Sequence, residues 1–92
     1  MISIILIHYK DQKLLLNAVR SILEYGGVPS DQIQFIIIDN SQDFKEEALK
    51  KLNVIYKYHN PGYNSGFARG VNYGLQHSIG EYILLMNQDA WM

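Results

Sequence analysis

Two stretches of apolar sequence, Ile2 to Ile7 and Phe35 to Ile38, set the tightest limit on the fold. Both are rich in β-branched residues, and apart from Ser3 neither contains a polar one. A strand with one wet face alternates apolar and polar positions. Runs without alternation suit strands covered on both faces, which is the condition inside a parallel sheet. Tyr82 to Met86 is a third such run and follows Gly80. Val54 to Tyr58 alternates, with Val54, Tyr56 and Tyr58 against Ile55 and Lys57, as a strand nearer an edge would.

Helical patterning fills the gaps. Leu15, Ala18, Val19 and Ile22 form an i, i+3, i+4, i+7 stripe, and Gly26-Gly27 supplies the stop. Phe44, Ala48, Leu49 and Leu52 repeat the pattern more briefly, with Asp43 as the expected N-cap and Glu46 completing a capping box. Phe67, Val71, Gly74, Leu75 and Ser78 mark a third helix ending before Gly80. The order β-α-β-α-β-α-β predicts a Rossmann-like α/β fold. It is a small, mostly parallel sheet of about four strands with right-handed crossovers and helices on both faces.

A chain of 92 residues allows one small domain. Eight Lys and Arg against nine Asp and Glu leave a net charge of −1, which argues against a nucleic-acid footprint. The absence of cysteine excludes disulfides, thiolate zinc sites and cysteine nucleophiles, and fits a reducing compartment. With no basic leader and no apolar run near the ~20 residues of a membrane span, the expected location is the cytoplasm.

In an open parallel sheet, ligands bind beyond the carboxyl ends of the strands, near the point where strand order reverses. Reading each strand to its end gives His8-Tyr9-Lys10, Asp39-Asn40-Ser41, His59-Asn60 and Asn87-Gln88-Asp89. Asp39 and Asp89 thus fall at the rim of separate strands. A carboxylate there can accept from a nucleobase or ribose, or bind a hard cation. Asp39-Asn40-Ser41 also reads as an Asx-type turn, and Asp89 as a solvated loop residue. His8 reads as a packed strand-end residue rather than a ligand, and His59 and His77 as structural or solvated. A zinc site from His8, Asp39, His59 and Asp89 has no spacing signature.

Glycines recur at 62, 66, 70 and 74. Each interior helix glycine costs about 1 kcal/mol relative to alanine, so the series needs a backbone or ligand lying close. Arg69, within that series, reads equally as a solvent-facing side chain and as a contact to a diphosphate. No P-loop or G-x-G-x-x-G phosphate signature is present, so a bound diphosphate would need a cation or Arg69 to neutralise it.

Together these residues resemble the N-terminal, nucleotide-binding half of a family 2 glycosyltransferase of GT-A fold, rhamnosyltransferase-like in its details. Ile4 to Lys10 resembles the opening strand and its Thr-Tyr-Asn end, and Phe35 to Ser41 resembles the Val-Val-Asp-Asn-Gly-Ser segment. The run from Asn64 through Gly66, Phe67, Ala68, Gly70 and Asn72 to Gly74 matches the family's N-x-G-F-A-x-G-x-N-x-G at every fixed position. Tyr82 to Asp89 resembles the strand leading into the D-x-D metal motif, with Asn87 in place of its first Asp. His8 and Lys10 also depart from the family's Thr and Asn.

The resemblance implies a donor site for a UDP-sugar or dTDP-sugar. Asp39 would accept from N3–H of the base, and Tyr9 would flank that base. Asn64, Gly66, Arg69 and Asn87 would lie among the donor-binding residues, and Asp89 would hold Mg²⁺ or Mn²⁺. Residues 1–92 would then form the donor half of an enzyme of polysaccharide biosynthesis. The family's catalytic base lies downstream of the D-x-D motif, so the expectation is a truncated chain, inactive alone, with no catalytic residue of its own. The full enzyme would act on a glycan or lipid-linked acceptor, with peripheral membrane association. The competing expectation is a non-catalytic α/β module that forms a homodimer through its exposed sheet edge.

Overall fold

The computed structural model describes residues 1–87. Four strands, β1 (Ile2–His8), β2 (Ile33–Asp39), β3 (Ile55–His59) and β4 (Tyr82–Asn87), alternate with helices α1 (Gln12–Tyr25), α2 (Glu47–Leu52) and α3 (Gly66–His77). All neighbouring strands are parallel, in the order β3-β2-β1-β4. This is the α/β, Rossmann-like arrangement expected from the order of elements. The register aligns His8 with Asp39, so the ends of the two central strands sit side by side.

Two of the three uninterrupted apolar runs become central strands buried on both faces, whereas the third, Tyr82 to Met86, forms β4 at the end of the strand order with Tyr82 to Leu85 exposed. β2 is buried at all seven positions and β1 at five. Ile4, Leu6, Phe35 and Ile37 face Leu15, Val19, Ile22 and Leu49 of α1 and α2. Ile5, Ile36 and Ile38 form a second cluster on the opposite face, the face that α3 covers. The chain steps from β1 outward to β3, then returns across the sheet through α3 to β4. Strand order therefore reverses beside β1, and that is where an open α/β sheet leaves a crevice at its carboxyl rim.

Two local expectations need correcting. Helix α2 starts at Glu47, without a side-chain cap, so the capping box does not form. The reason is competition: the Asp43 carboxylate is drawn instead to His8 and Ser41. The stripe of Phe67 and Leu75 on α3 does not face the sheet, since both rings and branches stand about half exposed. Gly70 and Gly74 face it instead, so close that an added Cβ would lie 2.7 Å from Ile7 Cδ1 and 2.6 Å from Ile5 Cδ1. The glycines are thus a packing device, and their helical cost is offset by bringing α3 down onto Ile5, Ile7 and Ile38.

At the opposite rim, a buried polar network fixes the entry to β4. Ser3 donates to Gln34 Oε1 at 2.7 Å, and Gly80 N donates to Ser3 Oγ at 2.9 Å. Gln34 Oε1 also accepts from Ile79 N at 3.1 Å. Polar side chains in two central strands are tolerated there because each finds a partner.

Candidate functional site

The carboxyl rim is built from the turns after β1, β2 and β3. Three of its residues, Lys10, Asp11 and Gln42, hold left-handed backbone conformations, with φ of 55°, 49° and 57°. Non-glycine residues enter this region at a cost, and such strain concentrates at sites that need a particular loop shape. The loops are also tied to one another. Lys10 N donates to Ser41 Oγ at 2.8 Å. Gln42 Nε2 donates both to the Asp39 carbonyl at 2.9 Å and to the Tyr63 carbonyl at 3.0 Å.

Asp39 is fully buried. Its Oδ2 accepts from Phe44 N at 2.9 Å and from the Tyr58 hydroxyl at 2.6 Å. Oδ1 accepts from Ser41 N at 3.3 Å and Asp43 N at 3.4 Å, while the single Ser41 hydroxyl proton goes to Asp43. The Asx-type turn read from the sequence is present, within a larger set of bonds. These donors occupy the carboxylate's acceptor directions, leaving no surface on which to receive a base N–H. In this geometry Asp39 shapes the β2–α2 loop. The burial and the bond to Asp39 together push the Tyr58 phenol well above its ordinary value.

His8 is buried as expected of a packed strand end, with Nε2 at 2.9 Å from Asp43 Oδ1 and 4.0 Å from Asp39 Oδ1. Its ring meets Phe44 edge-on at 5.2 Å between centroids. The Ser41 hydroxyl chiefly holds the Asp43 carboxyl below its ordinary value; burial opposes it, and His8 adds to the lowering. His8, Asp39 and Asp43 bring potential metal-ligand atoms within 4.8 Å of one another. Both Asp39 oxygens and Asp43 Oδ1 are already engaged by the loop, so a cation bound through those atoms would have to displace these bonds. His59 stands apart from this group and stacks on Tyr73 at 3.7 Å, with His77 on Tyr73 at 4.1 Å.

The remaining expected residues surround the rim. Tyr9 is half exposed, and Lys10 Nζ lies 5.2 Å from the centre of its ring. Asn64 is exposed and accepts from Gly66 N at 3.0 Å, while Gly66 opens α3 with a φ of 79°. Arg69 is exposed, and its Nη1 donates to the Tyr63 hydroxyl at 2.7 Å. Asn87 ends β4 beside Ile7 of β1. Asp89 lies outside the described residues.

Sequence reasoning placed Asn40 at the rim without giving it a contact, and missed Gln42, Tyr58 and Tyr63. Asn40 Oδ1 accepts from Ser65 N at 3.2 Å and Ser65 Oγ at 2.7 Å, and its Nδ2 donates to the Gly66 carbonyl at 3.2 Å. It thereby fixes the start of α3 against the end of β2. The signal for Asn40 was its place directly after a buried strand; for Gln42 and Tyr58 no local pattern distinguishes them.

Comparisons with known proteins agree with this architecture. The family model described as glycosyl transferase family 2 matches residues 3–92. No curated protein matches the chain. Among solved structures, a mannosyltransferase from Pyrobaculum calidifontis, in complex with GDP-Man and Mn²⁺, superposes with a TM-score of 0.82 at 21% identity. TarS of S. aureus (residues 1–349) gives the same score and identity, and its complex with UDP gives 0.80 at 22%. The alignments cover 98%, 98% and 96% of this chain but only 28%, 28% and 27% of those chains. The rim of strained loops therefore stands on a GT-A sheet, and the chain belongs to glycosyl transferase family 2.

Proposed function

We propose that this chain is the donor-binding part of a sugar-nucleotide-dependent glycosyltransferase, and that the crevice at the ends of β1 and β4 takes the nucleoside diphosphate. The observation that carries the reading is the placement of two exposed tyrosines at one rim, each with a cation: Tyr9 with Lys10 and Tyr63 with Arg69. An aromatic face stacks on a base whatever its identity, and a guanidinium matches a phosphate in planar geometry.

The base is a pyrimidine in this reading, so the donor is a UDP-sugar or dTDP-sugar. The similar structures carry UDP in one case and GDP-Man in another, which supports a nucleoside diphosphate as the class. Mg²⁺ or Mn²⁺, held by Asp89, would supply Lewis-acid stabilisation of the departing diphosphate. Asn87 in place of the first D-x-D carboxylate lowers the local negative charge, so the Arg69 cation carries more of the neutralisation. Asp39 and Asn40 act here by holding the loops that present Tyr9, Tyr63 and the start of α3.

The acceptor, a glycan or a lipid-linked saccharide, and the catalytic base belong to polypeptide beyond these residues. No described helix is long and apolar enough to cross a membrane. In this reading the enzyme meets a membrane-borne acceptor peripherally, from the cytoplasm.

Titration calorimetry with UDP, dTDP and GDP in the presence of Mn²⁺ tests the reading. It expects heat with UDP or dTDP that Arg69→Ala and Tyr9→Ala each reduce by tenfold or more in affinity. Equal heat with GDP would contradict the pyrimidine assignment, and no heat with any nucleotide would contradict the donor site itself.

A further inference from the structure

We infer, resting on the donor site proposed above, that Gln42 is a positioning residue for the diphosphate. It holds the Tyr63 loop to the end of β2, and Tyr63 in turn aims the Arg69 guanidinium. The Gln42 carboxamide carries two N–H groups on one nitrogen. Nε2 donates to the Asp39 carbonyl at 2.9 Å and to the Tyr63 carbonyl at 3.0 Å. The first bond stays within the turn after β2, and the second crosses to the loop that joins β3 to α3.

That loop is fixed at both ends. Asn60 Oδ1 accepts from Gly62 N at 2.8 Å, and Ser65 N donates to Asn40 Oδ1 at 3.2 Å. Tyr63 lies between these ties, and the Gln42 bond connects that midpoint to the sheet. The Tyr63 hydroxyl then accepts from Arg69 Nη1 at 2.7 Å. A guanidinium presents five N–H groups in a planar fork, so this bond sets the direction of Arg69 and leaves other donors for phosphate oxygens. Arg69 is exposed, and such a side chain otherwise spreads over many rotamers. Holding it in place beforehand lowers the ordering cost of binding.

The backbone of Gln42 points the same way. Its φ of 57° is a conformation that glycine adopts with less strain. The residue is also exposed, so burial does not explain the glutamine. A strained position whose side chain engages two separate loops marks a task for that side chain. In the donor-site reading Tyr9 flanks the base and Arg69 meets the diphosphate, so the strap acts on the phosphate side of the ligand alone.

Two substitutions separate positioning from folding. Gln42→Met keeps the length and the net charge but removes both donors. Gln42→Gly removes the strap and relieves the backbone, so its melting temperature should stay within about 4 °C of the parent's. NMR titrations compare UDP with uridine, each with Mg²⁺, because uridine carries the base and ribose without the diphosphate. Both variants should bind UDP about fivefold more weakly than the parent while uridine affinity stays within about twofold. In an Arg69→Ala background, Gln42→Met should weaken UDP by less than about twofold further. UDP affinity unchanged in both variants, an equal loss for uridine, or a full additional loss in the Arg69→Ala background overturns the proposal and leaves the donor site standing. A parent chain that binds UDP no better than uridine, or binds neither, overturns the donor-site reading and the role of Gln42 with it.

Discussion

Tyr58 donates its phenolic proton to Asp39 Oδ2 across 2.6 Å, tying the edge strand β3 to the carboxyl end of the central strand β2. That bond joins one from Phe44 N to the same oxygen, so a single buried carboxylate holds the start of the β2–α2 loop and the neighbouring strand together. A loop anchor and a base contact differ in what they predict for stability on substitution of Asp39.

Asp39→Asn should destabilise the fold by about 3 kcal/mol, because an amide cannot accept at both former carboxylate oxygens and places an N–H among donors. Tyr58→Phe should cost less, about 1.5–2 kcal/mol, since Asp39 keeps its backbone donors. Urea denaturation of the two variants measures both. An Asp39→Asn variant as stable as the parent would return Asp39 to a purely ligand-facing role.

The two buried glycines of α3 should respond differently to alanine. At Gly74 the new Cβ would meet three atoms of the fully buried Ile5 at 2.6–2.9 Å, leaving that side chain nowhere to turn. The overpacking should outweigh the ~1 kcal/mol of helix propensity gained, for a net loss of about 1–2 kcal/mol. At Gly70 the one close atom is the terminal methyl of the half-buried Ile7, which can rotate away. Gly70→Ala should therefore fall within about 0.5 kcal/mol of the parent. Thermal melts of the pair check the ranking, and equal losses would contradict it.

Acidification should weaken the α3–β3 contact. Burial holds the His59 imidazole below its ordinary 6.5, with His77 and Lys57 adding to the effect. The unfolded chain thus takes up this proton at higher pH than the folded one. Stability is fully present above about 6.5 and declines as pH falls from there toward the lower folded-state value. The melting temperature should drop across that window, and His59→Phe, which preserves the stack on Tyr73, should flatten the drop. An unchanged slope in the variant would place the dependence elsewhere.

Much of the fold could be read from residue order because it depends on local pattern. Ile4-Ile5-Leu6-Ile7 and Phe35-Ile36-Ile37-Ile38 have no wet face to offer, and both become central strands. Gly70 and Gly74 announce a close approach, and Ile5 and Ile7 supply it. The site was harder to read because its bonds span long stretches of chain: His8 to Asp43, Asn40 to Ser65, Gln42 to Tyr63 and Asp39 to Tyr58. Asp43 shows the difficulty in one residue. Its spacing from Glu46 suits a capping box, but His8, 35 positions away, offers the stronger partner.

The most direct test of the account is a chemical-shift map of the 92-residue chain titrated with UDP and Mg²⁺, a diamagnetic cation. The account predicts saturable shifts confined to the rim: Tyr9 and Lys10, Asn40 to Gln42, and Tyr63 to Gly66. The amides of Arg20, Lys51 and Leu52 between α1 and α2 should stay still. Shifts centred on those helices, or no saturable shift at the rim, would contradict a donor site at the ends of β1 and β4.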